Sequence, residues 1–176
     1  MPNELPILTE LDPQPYLKHV RNIYAQMLIF PSKEWAKALC EELNRDEDFL
    51  RSVNGWGIDV LLIGKNRPND VIQYLRNTYS INDINTLGLH MVFDNSCKSI
   101  DLLINPEPGS YRYVVIIDYD TWLRVLKRLD DPITALLSVF SKLEIRGSTV
   151  TLIRLAANVA SPIARVMRKI PTKIIE

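Results

Sequence analysis

The residues able to do chemistry in this chain are few, and their spacing decides which reactions are worth testing. His90 and Cys97 are near neighbours in sequence. A thiol beside an imidazole is the pairing of a nucleophile with its base. No third orienting group and no oxyanion donor accompany them, so Cys97 is expected to be a packed thiol. The two histidines, His19 and His90, lie far apart and lack the cysteine or carboxylate spacing of a zinc site. No metal and no cofactor is expected. Asp118 and Asp120 flank Tyr119 as a carboxylate pair would, yet helix capping explains at least one of them more cheaply. Asp130 and Asp131 read as turn and cap. The stretch GWGIDVLLIGKN ends in Gly-Lys like a phosphate loop, but Asp59 stands where that loop needs glycine and Asn66 where it needs Ser or Thr. Tyr111 and Tyr113 flank Arg112, but the sheet face assigned to the tyrosines is apolar, which argues against a stacking platform for RNA.

The totals narrow the class further. The 176 residues suit one domain, or one domain with an extension. The 21 basic and 21 acidic residues cancel, so no global field attracts nucleic acid. The longest apolar runs are too short to span a bilayer, and the first residues lack the basic and apolar blocks of a secretory leader. A cytoplasmic protein is therefore expected, with Cys40 and Cys97 reduced and packed; a single disulfide between them is the alternative. Basic residues gather late in the chain: Lys142, Arg146, Arg154, Arg165, Arg168, Lys169 and Lys173 face only Glu144 and Glu176. Solvated helix faces explain this, and weak contact with an anionic membrane is the functional alternative.

Hydrophobic periodicity sets out the elements that must position any site. The spacing of Tyr16, Leu17, Val20, Ile23, Tyr24, Met27 and Leu28 predicts an amphipathic helix over residues 15–30. Pro31 ends it, and Ser32 caps a second helix with Trp35, Ala36, Leu39 and Leu43 as its stripe. After residue 54 the period becomes two. Ile58, Val60 and Leu62 oppose Asp59; Leu87, Leu89, Met91 and Phe93 oppose Gly88 and His90; Ile100, Leu102 and Ile104 oppose Asp101; Tyr111, Tyr113, Val115 and Ile117 oppose Arg112. Residues 66–80 form a short helix or an ordered loop. Helical spacing returns at Trp122, Val125, Leu126 and Leu129, and again at Ile133, Leu136, Leu137 and Phe140. KLEIRG is too short to stand alone and must add a fifth strand to the sheet. The last segment is apolar and rich in alanine, and Pro162 is expected to break it into two helices, the second capped by Ser161. The fold class is thus α+β: a five-stranded, mostly antiparallel sheet covered by helices. Residues 1–30 form an extension with one helix, and residues 31–176 form the domain.

The stretches FPSKEWAKALCEELN with GWGIDVLL, then DYDTWLRVLKRLDDPITALL, then SKLEIRGSTVTLIRLAANV resemble the sterol carrier protein 2 family, over about residues 30–170. Ser141 stands where that family usually has glycine, and the helix over residues 15–30 lies outside the shared core. The resemblance implies a curved five-stranded sheet with helices on one face and, between them, a tunnel for lipids, fatty acyl groups or sterols. It implies binding and carrying, with no catalysis.

The composition of the last helix is consistent with such a tunnel, although Ala156, Ala157 and Ala160 are equally what close helix–sheet contact requires. Burying an acyl chain of about 14 methylenes yields roughly 11 kcal/mol gross. Association and ordering offset roughly 4 kcal/mol or more of that. The expected lining is Leu89, Met91, Val115 and Ile117 from the sheet, with Trp122, Leu126, Leu136, Phe140, Leu152, Leu155, Val159 and Met167 from the covering helices. The expected function is a non-catalytic carrier of an apolar ligand. The alternative is a ligand-free interaction module that dimerises or docks on an enzyme of lipid metabolism.

Overall fold

A computed structural model describes residues 27–127 and 144–176. Its centre is a five-stranded sheet: β2 (Gly57–Lys65), β3 (Leu87–Asp94), β4 (Cys97–Ile104), β5 (Tyr113–Asp118) and β6 (Glu144–Arg146), in the order β4-β3-β2-β5-β6. Every neighbouring pair is antiparallel except β2 with β5. These are the strands expected from the two-residue period, including the short late one. A second sheet pairs β1 (Leu28–Phe30) in parallel with β7 (Thr172–Ile174), so the protein has two sheets where one was expected.

The second sheet corrects the first expected helix at its end. Leu28, Ile29 and Phe30 carry apolar side chains that fit a helical stripe, but they are extended and pair with a strand at the opposite end of the chain. Backbone pairing with a distant partner overrides local periodicity here. The rest of the expected extension, residues 1–26, lies outside the described residues, as does the helix expected over residues 131–140.

The sheet has two unlike faces. The inward face carries Ile58, Val60, Leu87, Leu89, Met91, Phe93, Ile100, Leu102 and Val115, all buried in one continuous core. Helix α1 (Lys33–Leu43) lies along β4, and α2 (Glu47–Val53) follows it. Ser32 caps α1 by accepting from Trp35 N–H at 3.0 Å, as its residue type predicts. Helix α3 (Asn69–Tyr79) resolves the ambiguous stretch after β2 as a helix. Helix α4 (Tyr119–Leu126) leaves β5 directly, and α5 (Thr149–Met167) packs across α1 and α2. On the outer face Leu61, Ile63 and Val114 form a smaller cluster with Leu103, Tyr111 and Ile116. Tyr111 therefore sits opposite to its expected side, because β5 begins only at Tyr113 and the preceding turn swings Tyr111 outward, edge-on to His90.

Three further expectations change. Cys40 and Cys97 are joined in a disulfide with Cα atoms 5.5 Å apart, so they are not free thiols. The bond fastens the end of α1 to the start of β4. Asn44 reinforces it, donating to the Cys97 carbonyl and accepting from the Cys97 N–H, both at 2.8 Å. Helix α5 runs unbroken through Pro162. Val159 on one side of the proline and Val166 and Met167 on the other are buried in the same core, and that packing holds both halves on one axis. Asp118 occupies the N-cap position of α4, but its carboxylate caps no N–H; it accepts from Asn66 Nδ2 at 2.6 Å.

Two stability predictions follow from these joints. Gly147 has φ +110°, and a Cβ there would lie 2.7 Å from the Arg112 carbonyl oxygen. Gly147→Ala is expected to cost about 2 kcal/mol in urea unfolding; a change within error would mean the β6–α5 turn relaxes freely. The disulfide spans a sequence separation of 57 residues. Cys40→Ser with Cys97→Ser is expected to lose about 2–4 kcal/mol, and unchanged stability would remove the cross-link from any structural role.

Candidate ligand site

The inward face of the sheet ends in a recess. Its floor is Leu62 and Gly64 of β2, Leu87 and Leu89 of β3 and Leu102 of β4. Its rim is Phe30 and Pro31 after β1, with Tyr119 and Trp122 of α4. The space, open solvent at its mouth included, is about 310 Å³, but the room within it for the centre of a water-sized molecule is only about 20 Å³, so it is a shallow recess and not a formed cavity. Among the described residues, all those that line it are uncharged. Gly64 keeps the floor low: a Cβ there would meet nothing nearer than the Leu87 carbonyl oxygen at 3.9 Å.

The rim is held by aromatic packing and by the C-terminal strand. Phe30 meets Trp35 edge-on at 4.7 Å and stacks on Tyr119 at 6.1 Å. The Tyr119 hydroxyl donates to the Ile175 carbonyl at 3.0 Å. Burial pushes the Tyr119 phenol well up from its ordinary value, and the Glu176 carboxylate adds to the shift. The hydroxyl stays protonated, and the rim stays neutral. Trp122 differs: its indole nitrogen is buried and has no hydrogen-bond partner among the described residues.

The expected lining residues divide accordingly. Leu89 and Trp122 border the recess. Met91, Val115, Leu126, Leu152, Val159 and Met167 are buried in the continuous core behind it, and Ile117 packs against that core. Leu136 and Phe140 lie outside the described residues, and Leu155 is placed on α5 by its backbone alone. Phe30, Pro31, Leu62, Gly64, Leu87, Gly88, Leu102 and Tyr119 were not anticipated as lining. Phe30 and Pro31 arrive through the β1–β7 pairing, which no local pattern announces. Leu62 was legible, since it shares its strand face with Ile58 and Val60.

The polar candidates lie elsewhere. His90 is half-buried on the outer face, with Nε2 2.6 Å from Asp59 Oδ1. Cys97 is committed to its disulfide, so the two cannot act as nucleophile and base. Among the described residues no cluster of His, Cys, Asp and Glu could hold a metal ion, and no helix is long and apolar enough to cross a membrane.

One ionic joint holds α5 over the core. Asp46 caps α2 by accepting from Phe49 N–H at 2.9 Å, and it also accepts from Arg165 Nη2 at 2.7 Å. Lys169 Nζ is 3.8 Å from its other oxygen. Partial burial pushes the Asp46 carboxyl up, but these partners outweigh it and hold it below its ordinary value. Arg165 is thereby engaged within the fold, which leaves the exposed Arg154 and Lys173 as the freer part of the basic C-terminal surface.

The sheet order, with helices on its inward face and an apolar recess at one end, defines an α+β scaffold with one covered sheet face. The chain has the sterol carrier protein 2 fold. It superposes on a solved sterol carrier protein 2 with a TM-score of 0.57 at 22% identity, covering 79% of this chain and 97% of that one. It superposes on the conserved hypothetical protein TT1886 of Thermus thermophilus, described as possibly a sterol carrier protein, with a TM-score of 0.61 at 19% identity, covering 81% and 90% of the two chains. No protein-family model matches the sequence, and no curated protein matches it. At these identities the likeness establishes the fold.

A carboxyl held below its ordinary value contributes stability that is complete above that value and is lost as pH falls through the lowered one. Asp46→Asn keeps the cap and removes the charge. It is expected to cost about 0.5–1 kcal/mol at pH 7, with the difference from the parent closing below about pH 4. An equal deficit at every pH, read from urea melts, would show that the charge contributes nothing.

Proposed function

We propose that this protein is a non-catalytic carrier of an apolar ligand, such as a lipid, a fatty acyl group, a sterol or an isoprenoid-like molecule. The ligand is held between the inward sheet face and the covering helices. The observation that carries the reading is the recess: open, uncharged and continuous with the main core. The recess is shallow in this structure, so its apolar lining and not its size supports the reading, and an acyl chain enters only as the rim and covering helices part. The fold likeness to sterol carrier protein 2 supports the same reading. The extension of the recess into a tunnel beneath α4 and α5 belongs to the proposal. So does a cytoplasmic location, with the disulfide fitting either an oxidising compartment or the cytosol of a hyperthermophile.

A second reading has its own observation. Val150 and Ile153 on the first turns of α5 are 68% and 48% exposed, beside the exposed Arg146 and Arg154. Such a surface suits contact with an anionic membrane or a second copy of the chain. It is compatible with a carrier that must meet a membrane to load.

The carrier reading is tested by native mass spectrometry of the purified protein with solvent extraction of anything bound, and by Gly64→Val. A co-purifying lipid is expected. The Cβ at this position clears the backbone and the valine methyls extend toward the recess, so the variant should fold while its ligand affinity falls by about tenfold or more. A parent that neither carries nor takes up any lipid, or a variant that binds as the parent does, would sink the assignment.

A further inference from the structure

We infer that Trp122 is the polar anchor of the recess, and that the ligand presents a neutral hydrogen-bond acceptor, an ester-type carbonyl or a hydroxyl oxygen, to its indole N–H. The inference rests on the carrier reading and names the chemistry of its ligand. The three tryptophans of the chain provide the contrast. Trp35 Nε1 donates to Thr172 Oγ1 at 3.0 Å, and Trp56 Nε1 donates to the Ser52 carbonyl at 2.7 Å. Trp122 Nε1 is withdrawn from solvent, yet it donates to nothing among the described residues. Buried indole N–H groups usually find an acceptor, because losing water without a replacement is costly. Trp122 is also the one of the three that lines the recess. The Trp122 side chain thus borders the recess, and its unspent donor, which no water-sized molecule reaches in this structure, meets a guest as the ring turns on entry.

The other buried donor lacking a partner among the described residues, Arg67 Nε, does not compete for this role. The Arg67 guanidinium already donates to the Gly64 and Asn85 carbonyls, at 2.8 and 2.7 Å. It braces the floor from outside the lining.

The lining also fixes the charge of the acceptor. Among the described residues no cationic side chain borders the recess. A carboxylate buried there would be unpaired, which is far costlier than burying an ester or an alcohol. The Tyr119 hydroxyl cannot substitute for the indole, since it is spent on Ile175. A pure hydrocarbon would fill the recess but leave the indole as it is.

Two probes of similar length separate the possibilities: methyl decanoate, which carries an acceptor, and undecane, which does not. Each is titrated into the full chain labelled with nitrogen-15. The three indole N–H signals are assigned with Trp122→Phe. Methyl decanoate is expected to move the Trp122 indole proton downfield and to leave those of Trp35 and Trp56 in place. Undecane is expected to perturb the backbone signals of Leu62 and Leu89 without the downfield shift. Trp122→Phe should weaken methyl decanoate by roughly tenfold and undecane by no more than about twofold. Equal losses for both probes, or an ester that binds with the indole unmoved, would overturn the anchor while leaving the carrier reading standing. Binding of neither probe to the parent would overturn both. If Trp122→Phe does not fold, the indole shift in the parent decides alone.

Discussion

The inward face of the central sheet is the constraint on which the rest depends. It presents a continuous apolar surface from Ile100 and Leu102 on one edge to Val115 beside the other. A sheet with one apolar face must cover it, and helices from early in the chain reach only part of it. Helix α1 lies on β4, with α2 next to it. Among the described residues, coverage of the β5 side falls to α4, which leaves β5 directly, while α5, which arrives only after β6 has joined the sheet edge, lies against α1, α2 and α4. The lone late strand is therefore a positioning device. By pairing with β5 it turns the chain, through Gly147, into the helix that closes the core.

The two sides of this cover are fastened in unlike ways. On the β4 side a covalent bond between Cys40 and Cys97 and the paired Asn44 hydrogen bonds leave α1 no freedom to lift. The C-terminal half of α5 is held to α2 by Asp46 and Arg165, in a partly solvated joint. At the recess the fastening is softer still. Ring contacts of Phe30 with Trp35 and Tyr119, one hydroxyl bond to Ile175 and a three-residue parallel ribbon hold the rim. Local stability falls where few backbone bonds hold an element, and of these three joints the rim is the one without a covalent or ionic tie. A guest that enters there need not disturb the cross-linked side.

Much of the scaffold was legible because its signals are local. Alternation at Ile58, Val60 and Leu62, and at Leu87, Leu89, Met91 and Phe93, marks strands with one buried face. The oxygen of Ser32 marks a helix start. What escaped was set by partners distant in sequence. Leu28–Phe30 look helical until Thr172–Ile174 offer backbone bonds. Cys40 and Cys97 carry no spacing that predicts a bond, and only the docking of α1 on β4 brings them together. Pro162 reads as a break, and only burial on both sides of it keeps the helix whole. The site divides in the same way. Leu89 and Trp122, which border the recess, carry local face patterns, whereas Phe30 and Pro31 reach it through the β1–β7 ribbon alone.

The same distinction bears on what kind of specificity the fold can hold. Apolar lining from Leu62, Leu87, Leu89 and Leu102 discriminates weakly, since each methylene gained or lost changes transfer energy by only about 0.8 kcal/mol. Selectivity among guests must come from the few polar groups at the wall. The Tyr119 hydroxyl is committed to closing the rim. The indole of Trp122 has no partner among the described residues to surrender, so a guest that satisfies it gains a hydrogen bond without breaking one there. Under the proposed carrier function the two tasks would be separate: the sheet would supply capacity for apolar molecules in general, and one unspent donor the preference among them.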